Sequence, residues 1–260
     1  MIDPTDPKVL CRLYLNAVLP CLADLTHEDP AARAIGADVD ASIVLCVLGG
    51  PAVTLHWRHG EIAWAAGFGP KPSVILAFLS DRHLNAFFDG KKWAAPLPLW
   101  GGWRVGLLKR FSALAARLEQ VMDGAPEVIE NADGRRLHAR LTLITVGLGL
   151  QALAQGDQAV RRILGTLPPG LASFSIAGES KARVWFDHGS PGQQAGWGDP
   201  PRRPDVIVQF ADIGVAYDVM REQIDTLAAV GAGRIRVDGL VPLADGLNFA
   251  MERLRVYLKR

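Results

Sequence analysis

Six residues have the spacing of a phosphate-binding turn: Gly147-Leu-Gly-Leu-Gln-Ala152 fits G-x-G-x-x-A after a strand-like run. In that motif glycines let a pyrophosphate approach the backbone, and an acidic residue about 20 positions on, after a second strand, holds the ribose. No such acidic residue follows here, so no nucleotide site is expected. His56 and His59 stand three apart on a strand and its turn. Alternation aims them at opposite faces, which is wrong for sharing a metal. The chain has no G-x-S-x-G elbow, P-loop or H-E-x-x-H, and its carboxylates are scattered. No catalytic or metal-binding residue is assigned and no cofactor is expected. An enzyme built on this chain would have to use a titratable group in an apolar pocket, for which His56, His83 and Tyr217 are the candidates.

Composition narrows the setting. The 260 residues are 49% hydrophobic and 21% charged, enough for packed cores and long enough for two ordinary domains. A net charge of +1 provides no overall field for nucleic acid or an anionic membrane, so any such binding must be local. Cys11, Cys21 and Cys46 form no C-x-x-C pair and are odd in number, which fits reduced, buried thiols. The opening MIDPTDPKVL lacks the cationic start and apolar run of a signal peptide. Residues 141–154, the longest apolar stretch, fall short of the roughly 20 needed to cross a bilayer. The expectation is a cytoplasmic protein without stable membrane insertion.

The elements follow from an internal repeat. Lys71-Pro-Ser-Val-Ile-Leu-Ala-Phe78 lies over Arg203-Pro-Asp-Val-Ile-Val-Gln-Phe210 at an offset of 132. Arg33, Gly36, Gly49 and His59-Gly60 match Arg162, Gly165, Gly178 and His188-Gly189 at 129, and Gly101, Phe111 and Arg117 match Gly239, Phe249 and Arg255 at 138. The three extra residues between the first two registers are assigned to the Gly/Pro-rich stretch at 188–204, read as a loop. Two units are expected, residues 1–127 and 128–260.

Each half reads as an apolar helix, two or three short strands, the extended K/R-P-x-V-I segment, a helix, a short strand and a closing helix. Leu107, Phe111, Leu114, Leu118 and Val121 form one apolar helical face, as do Leu243, Leu247, Ala250, Leu254 and Tyr257. A middle helix is expected through Ile213, Tyr217, Met220, Ile224 and Leu227. Strands are expected at 43–47, 52–57, 74–79, 184–186, 206–210 and 234–237. Residues 141–146 look like a strand alone, but their counterpart at 10–25 reads as helix, so helix is assigned.

This order resembles the sterol carrier protein type 2 family, most closely over residues 73–119 and 205–258. Gly233-Arg-Ile-Arg-Val-Asp-Gly239 before Val241-Pro-Leu243 has the form of the family's last strand and terminal helix. Phe88-Asp-Gly-Lys91 and Leu97-Pro-Leu-Trp-Gly101 occupy the same places in the first half, where Pro96, Pro98 and Gly101-Gly102 interrupt the strand. The resemblance implies an α/β (α+β) fold of two repeats, each a small mixed sheet covered by helices. It also implies an apolar tunnel that accepts sterols, fatty acyl chains or isoprenoids.

Large apolar side chains are placed where helices must meet a sheet, as a ligand site needs. The expected ligand-binding residues are Phe78, Phe87, Phe88, Trp93, Trp100, Trp103 and Phe111 in the first half. In the second they are Phe210, Tyr217, Met220, Ile224, Leu247, Phe249 and Met251. Trp93, Trp100 and Trp103 form an irregular segment that suits a lid, a mouth or a contact surface. Arg104, Lys109 and Arg110 are the cations nearest it. The expected role is lipid binding and transfer, with presentation of a lipid to a biosynthetic enzyme partner as the alternative and no nucleic-acid partner.

Overall fold

The computed structural model describes residues 6–221 and 223–258. The chain forms two compact units that meet at Asp123 and Gly124, four residues before the expected boundary. Unit 1 runs α1 (Pro7–Leu13), a π-helical turn (Tyr14–Val18), α2 (Cys21–Glu28), α3 (Pro30–Ile35), β1 (Asp40–Val47), β2 (Ala52–Arg58), β3 (Glu61–Ala66), β4 (Val74–Phe78), α4 (Asp81–Phe88), β5 (Leu97–Trp100) and α5 (Val105–Met122). Unit 2 runs α6 (Pro126–Ile129), α7 (Ala132–Gly156), α8 (Gln158–Leu164), β6 (Leu171–Ile176), β7 (Glu179–Asp187), β8 (Gln194–Trp197), β9 (Val206–Phe210), α9 (Ile213–Met220), α10 (Thr226–Gly231), β10 (Ile235–Gly239) and α11 (Val241–Leu258).

Both units contain a five-stranded mixed sheet of the same design. The orders are β3-β2-β1-β4-β5 and β8-β7-β6-β9-β10, each with one parallel pair at its centre. In that pair Ile43 faces Val74 in unit 1 and Ala172 faces Val206 in unit 2, which reproduces the sequence offsets of 129 and 132. Two of the three extra residues are not where the sequence pattern put them, and the third enters between β8 and β9, inside the expected stretch. The ladder sets Ile43 opposite Leu55 and Ala172 opposite Phe186, so two enter before the paired part of β7. They are absorbed at the register shift between Ser175 and Ile176, since a bulge takes up residues without disturbing the rest of a ladder. His188 therefore stands two places nearer the hairpin than His59 does, and the two are not equivalent. The 188–204 stretch is also not all loop, because β8 pairs there with β7.

The opening helix explains why 141–146 is helical. α7 runs unbroken for 25 residues, and its unit 1 counterpart is α1, the π-helical turn and α2. Pro20 lacks an N–H and crowds the carbonyl four residues back, so the turn widens and Leu19 N–H reaches Tyr14 O at 2.9 Å. Residues 7–28 and 132–156 are each long and apolar enough to cross a membrane, yet 72% of each apolar window is buried within the fold. All three cysteines are buried and none forms a disulfide. Burial, with Asp81 adding to it, pushes the Cys11 thiol up.

A buried carboxylate locks each closing helix to the start of a short one. Asp29 caps α3 by accepting from Ala31 N–H (3.0 Å), and its second oxygen takes Arg117 Nε of α5 (2.7 Å). Asp157 caps α8 by accepting from Ala159 and Val160 N–H (2.9 and 3.0 Å). Its other oxygen takes Arg253 Nε (3.0 Å) and Tyr257 OH (2.8 Å) of α11. The structural partner of Arg117 is thus Arg253, not Arg255. The whole closing helix follows the same offset of 136, which sets buried Phe111, Leu114, Leu118 and Val121 over Leu247, Ala250, Leu254 and Tyr257.

Gly101 and Gly239 end the last strands with φ of +71° and +103°, and a Cβ on either would lie 2.1 Å from a carbonyl oxygen, that of Ser73 or Asp205. Gly239→Ala should cost about 2 kcal/mol or more, read by denaturant unfolding, because it adds left-handed strain to a backbone clash.

Burial pushes the Asp157 carboxyl up, but bonds from Val160 N–H, Tyr257 and Arg253 outweigh it and hold it below the ordinary range. A depressed folded-state pKa gives stability that is present above the unfolded value and lost as pH falls through the folded one. Asp157→Asn should therefore cost about 3 kcal/mol at neutral pH. It should also flatten the loss of stability seen on acidification below about pH 4.

Candidate apolar site

Aromatic rings pack in series through unit 1, from exposed Trp93 by way of buried Phe78 and half-buried Phe87 and Phe88 to buried Tyr14. Trp93, 73% exposed, stacks on His83 at 6.2 Å. His83 meets Phe78 edge-on at 5.5 Å, and Phe78 packs on Phe87 at 5.4 Å. Phe87 meets Phe88 at 5.5 Å, and Phe88 stacks on Tyr14 at 4.6 Å. Tyr14, only 3% exposed, donates to Asp89 Oδ1 at 2.8 Å.

These positions follow from two short elements. Ser80 caps α4 by accepting from His83 N–H at 3.2 Å, which places His83 and Phe87 one turn apart on a single face. His83 Nδ1 accepts from Leu79 N–H at 3.1 Å, so the ring both caps and packs. Asn85, on the side of α4 turned to α1, donates from Nδ2 to Pro7 O at 2.9 Å. Its buried Oδ1 has no hydrogen-bond partner among the described residues.

Beyond Trp93 lies an apolar rim. β5 is an edge strand, and Leu97, Leu99, Trp100, Trp103 and Val105 are all exposed. Trp100 and Trp103 pack edge to face at 5.1 Å. The proline-interrupted strand does form, with a bulge opposite Ile75 and Leu76. Phe78 and Phe111 are core residues, and Phe87 and Phe88 are half-buried between core and rim.

Unit 2 does not repeat this series. Register puts Val215, Val219 and Met220 of α9 at the positions of His83, Phe87 and Phe88. Phe210 and Leu247 are buried, Met220 and Met251 half-buried, and Tyr217 meets His138 edge-on at 5.4 Å. Two expected residues lie outside the buried core of unit 2. Phe249 is 42% exposed on α11, and Ile224 sits in the bend between α9 and α10. The single middle helix expected through Leu227 is two helices, because Asp225 accepts from Ala228 N–H (2.8 Å) and starts a new one. Sequence reading missed Tyr14, Leu97 and Leu99. Tyr14, an aromatic residue just ahead of Pro20, carried a usable signal for the first of these.

The glycines of Gly147-Leu-Gly149 lie inside α7, where added Cβ atoms would meet Val184 at 3.0 Å and Leu254 at 2.8 Å. They permit close packing and leave no helix N-terminus for a phosphate. Among the described residues no group of three or more His, Cys, Asp or Glu could hold a metal.

No family model matches the chain, and neither does any curated protein sequence. Among solved structures it is similar to a possible sterol carrier protein from Thermus thermophilus (20% identity, 40% of this chain, 79% of that one, TM-score 0.30). It is also similar to sterol carrier protein 2 from Yarrowia lipolytica (13%, 46% and 91%, TM-score 0.33) and to a sec-alkylsulfatase from Pseudomonas sp. (12%, 65% and 29%, TM-score 0.26). TM-scores this low transfer no ligand and no role.

Core and rim should separate on mutation. Phe78→Ala should cost about 3 to 5 kcal/mol of stability, whereas exposed Trp93→Ala should change it by less than about 0.5, both read by thermal or urea unfolding.

Proposed function

We propose that this protein binds and transfers an apolar, lipid-like molecule, a sterol, fatty acyl chain or isoprenoid, held between helices and sheet. The observation that carries the reading is the unbroken ring series from exposed Trp93 to buried Tyr14. A series of soft apolar contacts that begins at the surface and reaches buried rings is what an entering hydrocarbon requires. Burying about 300 Å² of such a ligand would contribute about 7 kcal/mol, so no charged anchor is needed.

Asn85 supplies a polar end point. A buried acceptor left unbonded is costly, and a ligand hydroxyl reaching Oδ1 would make the missing bond. Unit 2, with aliphatic residues in place of the rings, reads as the second copy of a duplicated domain that has kept the fold with a different lining. Unit 1 is the working half in this reading, and the protein acts as a soluble cytoplasmic carrier.

Native mass spectrometry of gently purified protein should show a lipid of defined mass at one per chain. Phe87→Ala together with Phe88→Ala should lower its occupancy. A bare chain that takes up neither added fatty acid nor sterol would sink the reading.

A further inference from the structure

We propose that residues 91–109 of unit 1 form a docking surface for an anionic lipid bilayer, a step beyond ligand binding that does not require a loaded pocket. The first support is a comparison inside the molecule. At the ladder positions of Leu97 and Trp100, opposite Ala77 and Ile75, unit 2 carries Arg236 and Asp238, opposite Gln209 and Ile207. Those two charges pair with each other at 2.6 Å, as suits a solvated edge. Unit 1 sets a leucine and a tryptophan in the same two places, both exposed. The apolar rim is therefore a property of this unit and not a demand of the fold.

The second support is charge. From Gly90 to Leu118 the chain has no Asp or Glu and carries Lys91, Lys92, Arg104, Lys109, Arg110 and Arg117. Arg110 is taken by Asp38 and Arg117 by Asp29. Lys91, Lys92, Arg104 and Lys109 are exposed and make no ion pair among the described residues. Exposed tryptophans flanked by unpaired cations match the boundary of a bilayer: indole rings settle at headgroup level, and Lys and Arg meet anionic lipids.

The backbone argues against another strand as the occupant. Pro98, in the exposed edge, has no N–H to offer, and the bulge beside it bends the ladder. The surface thus presents side chains more than hydrogen-bonding groups.

The test is co-sedimentation of the full chain with phosphatidylcholine vesicles, with and without phosphatidylserine. Wild-type protein should sediment with the anionic vesicles and be released by salt. Trp93→Ala/Trp100→Ala/Trp103→Ala and, separately, Lys91→Glu/Lys92→Glu should each bind roughly tenfold or more weakly, with thermal midpoints unchanged. No wild-type sedimentation with either vesicle, or binding that neither variant weakens, overturns the proposal. So does a dimer in solution that the tryptophan variant abolishes while vesicles go unbound, since the occupant is then a second copy. Protein that sediments yet retains no lipid in native mass spectrometry would sink the carrier reading and leave this one standing.

Discussion

A carboxylate taken out of water at the start of a short helix is the constraint on which each unit is built. Asp29 and Asp157 are 7% and 4% exposed, and a charge so placed is tolerable only with its lone pairs filled. Backbone N–H groups fill one oxygen, and an arginine from the closing helix fills the other. Once that arginine is fixed, the closing helix has one register over the sheet, and its buried face follows. In unit 2, Tyr257 adds a further bond, and Arg253 lies over its ring at 5.1 Å.

The same constraint fixes where the last strand must leave the sheet. The closing helix begins a few residues after Gly101 or Gly239, and the backbone there presses on the carbonyl of Ser73 or Asp205 too closely for any side chain. The scaffold is thus determined at both ends of the closing helix. What varies freely is the edge strand before it, and the units have used that freedom differently: salt-bridged polar residues in unit 2, leucine and tryptophan in unit 1.

The aromatic series and the rim draw on one short stretch of unit 1. Phe78 anchors the series in the core, α4 carries it outward, and Trp93 delivers it to the surface beside β5. A path for an apolar ligand and a surface suited to the membrane that supplies it would then share a border. The π-helical turn at Tyr14, forced by Pro20, places the innermost ring.

Sequence alone determined the order of elements in the two halves, the offsets of 129 and 132 that the central strands follow, and the amphipathic faces of both closing helices. Each depends on periodicity or on repeated residues, which are local and additive. It also overrode the strand-like look of residues 141–146 correctly, because the second copy supplied context that a single window lacks. Only the tertiary structure decided that two of the three extra residues enter a bulge, that Arg253 and not Arg255 meets the buried carboxylate, and that Phe249 faces outward where Phe111 faces the core. A shift of two residues leaves a sequence match nearly intact but turns a helix by more than half a revolution, and only packing distinguishes the two.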